Sequence, residues 1–188
     1  LDPTPDWQSS FNDFVDLSSS HRVTIGVGLA PIDKKHAIEL NKKIELFMNL
    51  GVKNFSLLFD DIDQEFSLSE QVEILNRTKS SFNDISFDFC PTVYCSELIN
   101  KDKNHQDYFD EFCSIFPKDE KFFWTGDEVI SKSINKECEK VLESFDKSNI
   151  CIWDNYFTVD SSPERLNLTF CNHIERDLLE NKNTYLIN

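Results

Sequence analysis

The chain has 188 residues, 39% of them hydrophobic, with Phe at 17 copies as the main aromatic, which suits one packed domain rather than a disordered tail. Its 34 acidic and 19 basic residues give a formal charge of −15, a surface that repels phosphate backbones and anionic lipid and speaks against a nucleic-acid partner, although the same charge also serves solubility. No apolar run approaches the roughly 20 residues of a membrane-spanning helix, so no membrane partner is expected.

In chain order, residues 1–22 read as a helix or linker. Short apolar runs then recur at intervals of roughly thirty residues, at 23–29, 55–59, 85–89, 122–124, 150–153 and 184–187. They are too short and too continuous for amphipathic helices, and they predict strands buried on both faces. Helical patterns lie between them. Ala37, Leu40, Ile44, Phe47 and Met48 form one face of a helix that Gly51 closes. Ile134, Cys138, Val141, Leu142 and Phe145 predict a second amphipathic helix, and 68–77, 106–116 and 173–181 predict shorter ones.

Strand, helix and strand at this spacing imply right-handed βαβ units and a parallel sheet, an α/β fold. Two architectures follow: an open doubly wound sheet, or part of a (β/α)8 barrel of TIM type, which usually needs about 250 residues. With Gly only at 26, 28, 51 and 126, no Gly-rich phosphate loop follows any strand, which weakens the nucleotide-binding sheet.

Six cysteines fall at 90, 95, 113, 138, 151 and 171 without a C-x-x-C pair. Cys90, Cys138 and Cys151 lie in apolar segments, where a thiol behaves as a small hydrophobe, so a reduced, cytoplasmic or nucleocytoplasmic compartment is expected. The N-x-S/T triplets at Asn54, Asn76 and Asn167 read as chance matches. The chain opens on Leu without signal-peptide architecture, so a native N-terminus upstream is expected.

The strand ends carry the polar residues. The run at 55–59 ends in Asp60, Asp61 and Asp63; 85–89 runs into Cys90, Thr92 and Tyr94; 122–124 meets Thr125 and Gly126; 150–153 meets Asp154 and Asn155; and the last run stops at Asn188. Parallel strands bring their C-terminal ends to one rim, where barrel enzymes build their sites. Carboxylate, amide, hydroxyl and indole together suit a carbohydrate, with hydroxyls to hold and apolar faces to stack. No His lies on these ends, so neither a metal site nor a cofactor is expected. Each piece also has a plainer reading. Asp60, Asp61 and Asp63 fit a solvated acidic loop, and Trp124 and Trp153 fit the core. His21, His36, His105 and His173 are scattered and read as surface residues. Two adjacent carboxylates closing an apolar strand are less ordinary, because repulsion and burial raise one pKa, as a general acid requires.

The stretch LGVKNFSLLFDDID at 50–63, followed by FCPTVYC at 89–95, WTG at 124–126 with VISK at 129–132, and IWDN at 152–155, resembles the protein O-GlcNAcases, glycoside hydrolase family 84, including its hyaluronidase-like bacterial members. Four motifs stand in the family's order and at about its spacing, with similarity from about residue 22 onward. The resemblance implies a (β/α)8 barrel, here incomplete, in one catalytic domain. Residues 1–22 would precede the third barrel strand, and 23–188 would hold strands three to eight.

It also implies hydrolysis of β-linked N-acetylglucosamine with retention, in which the substrate's acetamido oxygen forms an oxazoline and no side chain is the nucleophile. By matching position, Asp60 would accept the acetamido N–H. Asp61 would protonate the departing Ser or Thr oxygen and then activate water. Tyr94 would bond near the acetamido group, Cys90 and Trp153 would wall its methyl pocket, and Asn155, Asp160 and Asn188 would hold sugar hydroxyls. The partner implied is a GlcNAc-bearing protein or glycan.

The departures are specific. Residues 1–22 supply neither the family's first two strands nor their Gly-rich turn and lysine. The segment at 28–31 lacks the Ser-Pro-Gly order, and 169–171 replaces a Gly-Pro segment. The readings that follow are a glycosidase, or a truncated or impaired member that binds GlcNAc without turnover. An acidic protein-interaction domain fits the charge but not the strand ends.

Overall fold

The computed structural model describes residues 3–60, 62, 66–158, 164, 172–176, 178 and 185–188. Strands and helices alternate along most of it. Helix α1 (Pro5–Ser20) precedes β1 (Gly26–Leu29), α2 (Lys34–Asn49), β2 (Asn54–Leu58), α3 (Leu68–Ser81) and β3 (Ser86–Cys90). Then come α4 (Ser96–Ile99), α5 (Lys103–Ile115), β4 (Lys121–Trp124), two 3-10 turns (Lys136–Leu142 and Lys147–Asn149), β5 (Ile150–Asp154) and β6 (Tyr185–Ile187). Hydrogen-bonded neighbours run in the order β1-β2-β3-β4-β5-β6. The pairs β1–β2, β4–β5 and β5–β6 are parallel, as the recurring strand–helix unit requires. Packing divides the chain into two compact units, residues 1–88 and 89–188.

In the first unit the faces read from the sequence are the buried ones. Ala37, Leu40 and Ile44 of α2, Phe55 and Leu57 of β2, and Leu68, Ile74 and Leu75 of α3 make its core. The end of α2 follows from Gly51. Its φ of +90° is open to glycine, and it lets Gly51 N–H reach Met48 O (2.9 Å) and Val52 N–H reach Phe47 O (3.0 Å), a Schellman closure. The other end of α2 is set by Asp33, whose carboxylate accepts from both the backbone N–H and the ring of His36 at 2.8 Å. The same arrangement recurs in the second unit, where Asp102 opens α5 on His105 at 3.0 and 2.8 Å. Helix α3 begins with a full capping box between Ser67 and Glu70.

The second unit packs around phenylalanine. Phe112 stacks on Phe116 at 4.6 Å, Phe116 meets Phe89 at 4.9 Å, and Phe122 meets Phe145 at 4.8 Å. Strand β6 lies last in the order, hydrogen-bonded to β5, with Leu186 and Ile187 exposed and no partner on its outer edge among the described residues.

Three expectations need correction. The first strand is shorter than 23–29, because Arg22 takes a left-handed φ of 61° and Val23 N–H bonds back to Ser18 O, which leaves Val23 exposed. The amphipathic helix expected around 134–145 is a 3-10 turn with Val141 exposed. The Cys138 carbonyl that an α-helix would direct to residue 142 is taken by the Trp124 indole N–H at 3.0 Å. His105 and His173 are buried rather than superficial. Of the expected helix at 173–181 only residues 173–176 and 178 are described. Among the described residues no helix is long and apolar enough to cross a membrane.

Candidate active site

Strand β2 delivers Phe59, fully buried, into a turn at Asp60, which is partly buried, and Ile62 is buried again beyond it. An apolar strand therefore carries one carboxylate out of the core at its C-terminal end, as the sequence pattern anticipates. Asp61 and Asp160 lie outside the described residues.

The remaining candidates belong to the second unit and follow its strand ends. Cys90 closes β3, completely buried. Tyr94 is buried four residues on, and its carbonyl accepts from Thr125 N–H at 2.9 Å just past β4. Its ring lies 5.7 Å from that of Trp153 on β5, which in turn lies 5.9 Å from Phe123 on β4. Trp153 is only partly buried, whereas Trp124 is fully buried and spends its N–H on Cys138; Trp153 is the indole a ligand can reach. At Cys95, next to Tyr94, burial pushes the thiol pKa up, so it stays a neutral small side chain.

The turn after β4 is built to reach β5. Gly126, at φ +103°, gives its carbonyl to Ser96 N–H, while Thr125 Oγ1 and Ser131 Oγ both donate to Glu128 O at 2.8 and 3.0 Å. That turn presents Val129 O, which accepts from Asn155 Nδ2 at 2.9 Å. Asn155 Oδ1 accepts from Asn188 Nδ2, also at 2.9 Å, so two amides 33 residues apart in sequence become one polar pair.

Between Trp153 and Asn155 sits a residue to which sequence reasoning gave no role. Asp154 is fully buried and accepts from Tyr156 N–H (2.9 Å), His173 Nε2 (2.8 Å) and Tyr185 Oη. Nothing in the spacing signals the histidine, which follows Asp154 by 19 residues outside any strand. Among the described residues no group of three or more His, Cys, Asp or Glu is placed to hold a metal ion. The described rim of this unit thus offers an aromatic pair and an amide pair, groups that stack on apolar faces and exchange hydrogen bonds with hydroxyls.

A family model described as beta-N-acetylglucosaminidase matches residues 4–188. The chain belongs to that family. Curated relatives of this chain include the protein O-GlcNAcases of Mus musculus and Rattus norvegicus, each 26% identical over 157 residues. Those alignments take in 78% of this chain but only 17% of each relative, so the chain spans a small part of their length. Among solved structures, CpGH84B superposes with a TM-score of 0.86 at 20% identity, covering all of this chain and 36% of that one. A mutant of the Thermobaculum terrenum O-GlcNAc hydrolase gives 0.81 at 20% identity, covering all of this chain and 44% of that one. The expected fold is borne out: a parallel α/β fold of the (β/α)8 type, of which the described residues hold six strands.

Proposed function

We propose that this chain is part of the single catalytic domain of a glycoside hydrolase that removes β-linked N-acetylglucosamine from proteins or related glycans, by substrate-assisted retaining catalysis through an oxazoline. The family match over residues 4–188 carries the reading, since it spans every strand-end motif. In the proposed mechanism Asp60 accepts the acetamido N–H and stabilises charge on the forming ring. Asp61 protonates the leaving oxygen and then deprotonates water. Tyr94, Cys90 and Trp153 surround the acetamido group, while Asn155, Asp160 and Asn188 hold hydroxyls. The buried Cys90 and the Tyr94–Trp153 contact support an apolar pocket, and the Asn155–Asn188 pair supports hydroxyl binding. A GlcNAc-bearing protein or glycan is the partner proposed, in a cytoplasmic or nucleocytoplasmic setting, consistent with free thiols at Cys90, Cys95, Cys113, Cys138 and Cys151.

The test uses the whole protein and a series of aryl glycosides whose leaving groups differ in acidity. Asp61→Ala should lose at least tenfold more rate on poor leaving groups than on very acidic ones, which need little protonation. Equal losses would overturn the general-acid role. Asp60→Ala should slow every member of the series. The second reading, a truncated or impaired member that binds GlcNAc without turnover, is favoured by the segment at 28–31, which lacks the family's Ser-Pro-Gly order. Saturable GlcNAc binding with no hydrolysis of any member would establish it.

A further inference from the structure

We infer that His173, acting through the buried carboxylate of Asp154, is a positioning residue for the Asn155–Asn188 amide pair. The inference rests on the GlcNAc-site reading above, because it assigns a role within that site.

Asp154 is fully buried, and a carboxylate removed from water is tolerable only when its lone pairs are satisfied. One oxygen is held by Tyr156 N–H, on the residue just past Asn155, which fixes the backbone on the far side of that amide. The other takes His173 Nε2 and Tyr185 Oη, the latter from β6, the strand that Asn188 follows. The main-chain oxygen of Asp154 accepts from Asn188 N–H at 2.9 Å. One residue therefore ties both arms of the amide pair, the turn after β5 and the end of β6. A rotation of its carboxylate would disturb Asn155 and Asn188 together.

His173 is the part of this cluster with no other business. Its ring lies flat on Tyr156, with centroids 4.0 Å apart and planes at 13°, and edge-on to Phe157. Its backbone is pinned by Ile134 N–H, which donates to His173 O at 2.8 Å. Nδ1 is buried without a hydrogen-bond partner among the described residues, so the single side-chain hydrogen bond of the ring is spent on Asp154. For the ring to donate to Asp154, Nε2 must carry a proton, an assignment made from that contact. Stacking on Tyr156 sets the ring plane, and the Asp154 bond sets the carboxylate rotamer. Beyond the bonds to Val129 O and between the two amides, each amide keeps one N–H and acceptor capacity on its oxygen.

Two substitutions separate positioning from mere stability. His173→Gln keeps a donor where Nε2 stands; His173→Phe keeps the stacked ring and removes the donor. The readouts in the whole protein are the side-chain amide NMR signals of Asn155 and Asn188 and a titration with free N-acetylglucosamine. The Phe variant should displace both amide signals and weaken binding about tenfold, while the Gln variant returns both to within about threefold of the wild type, as expected for one charge-assisted hydrogen bond. Amide signals and affinity unchanged in the Phe variant would overturn the inference, and so would a Gln variant no better than Phe. If the wild type fails to bind the sugar, it is the GlcNAc-site reading that fails, and the amide signals alone decide the positioning role. Should His173→Phe not fold, Tyr185→Phe removes a donor from the same oxygen. It must then displace the same two amide signals for the inference to stand.

Discussion

Tyr94 and Trp153 lie with ring centroids 5.7 Å apart and planes at 46°, a tilted contact joining the loop after β3 to β5. Phe123 backs Trp153 from β4, so the indole is held from two sides while staying partly open. An indole so fixed has little rotamer freedom left to lose when a sugar's apolar face covers it. Trp153→Ala should weaken N-acetylglucosamine binding about tenfold, and Trp153→Phe by about threefold or less. Calorimetric titration of the three proteins checks this, and unchanged affinity in the Ala variant would remove Trp153 from the site.

Gly126 stands at φ +103°, and a Cβ there would come within 2.8 Å of Ser131 Oγ, the hydroxyl that ties the turn together. Gly126→Ala should therefore cost about 1–3 kcal/mol, read as a lower urea midpoint. Because the turn presents Val129 O to Asn155, its side-chain amide signal should shift as well. A neutral substitution would mean that the turn relaxes without strain.

Trp124 is fully buried, and its indole N–H satisfies the Cys138 carbonyl. Trp124→Phe preserves most of the apolar volume but leaves that carbonyl without its donor, at a cost of about 1–3 kcal/mol. Circular dichroism during urea unfolding gives the value. A loss below about 0.5 kcal/mol would show that the 3-10 turn finds another donor for Cys138.

Acid should loosen helix starts before it reaches the cores. At Asp33 the His36 backbone N–H and then its ring hold the carboxyl below its usual range, and at Asp102 the His105 ring and then its N–H do the same. At Glu70 the Ser67 backbone N–H is the main cause, with Lys34 next. Each folded pKa lies below its unfolded value. The stabilisation is therefore complete above the ordinary carboxylate range near about pH 4 and is lost as pH falls through the depressed folded values. Unfolding midpoints should hold steady down to about pH 5 and decline below it. Asp33→Asn with Asp102→Asn keeps neutral caps and should flatten that decline. An unchanged slope in the double variant would place the acid sensitivity elsewhere.

The strands were legible as short, mostly apolar runs such as Phe55 to Phe59, and their parallel pairing follows from the helices between them, although burial on both faces holds for β4 and β5 and not for β1, β2 or β6. Site candidates were legible for a related reason: a polar residue closing such a run, as Asp60 closes β2, has left the core at a definable edge. Pairings across strands were not. Asn155 and Asn188 meet only through the register of β5 and β6, and His173 reaches Asp154 from outside any periodic segment. The apolar spacing from Ile134 to Phe145 failed differently. It fits an α-helix, yet the backbone there forms a 3-10 turn whose Cys138 carbonyl accepts from the Trp124 indole.

The outer edge of β6 bears on how the protein behaves in the tube. Strand β6 ends the described sheet order with Leu186 and Ile187 exposed, and apolar side chains at a sheet edge favour pairing with another molecule. Copies carrying a charge of −15 hold one another off across a Debye length of about 10 Å in 0.1 M salt, but only about 3 Å in 1 M. Ionic strength, more than protein concentration, therefore decides colloidal stability. Preparations kept in dilute buffer should stay dispersed at high concentration, and salting-out steps are where particulates should first form.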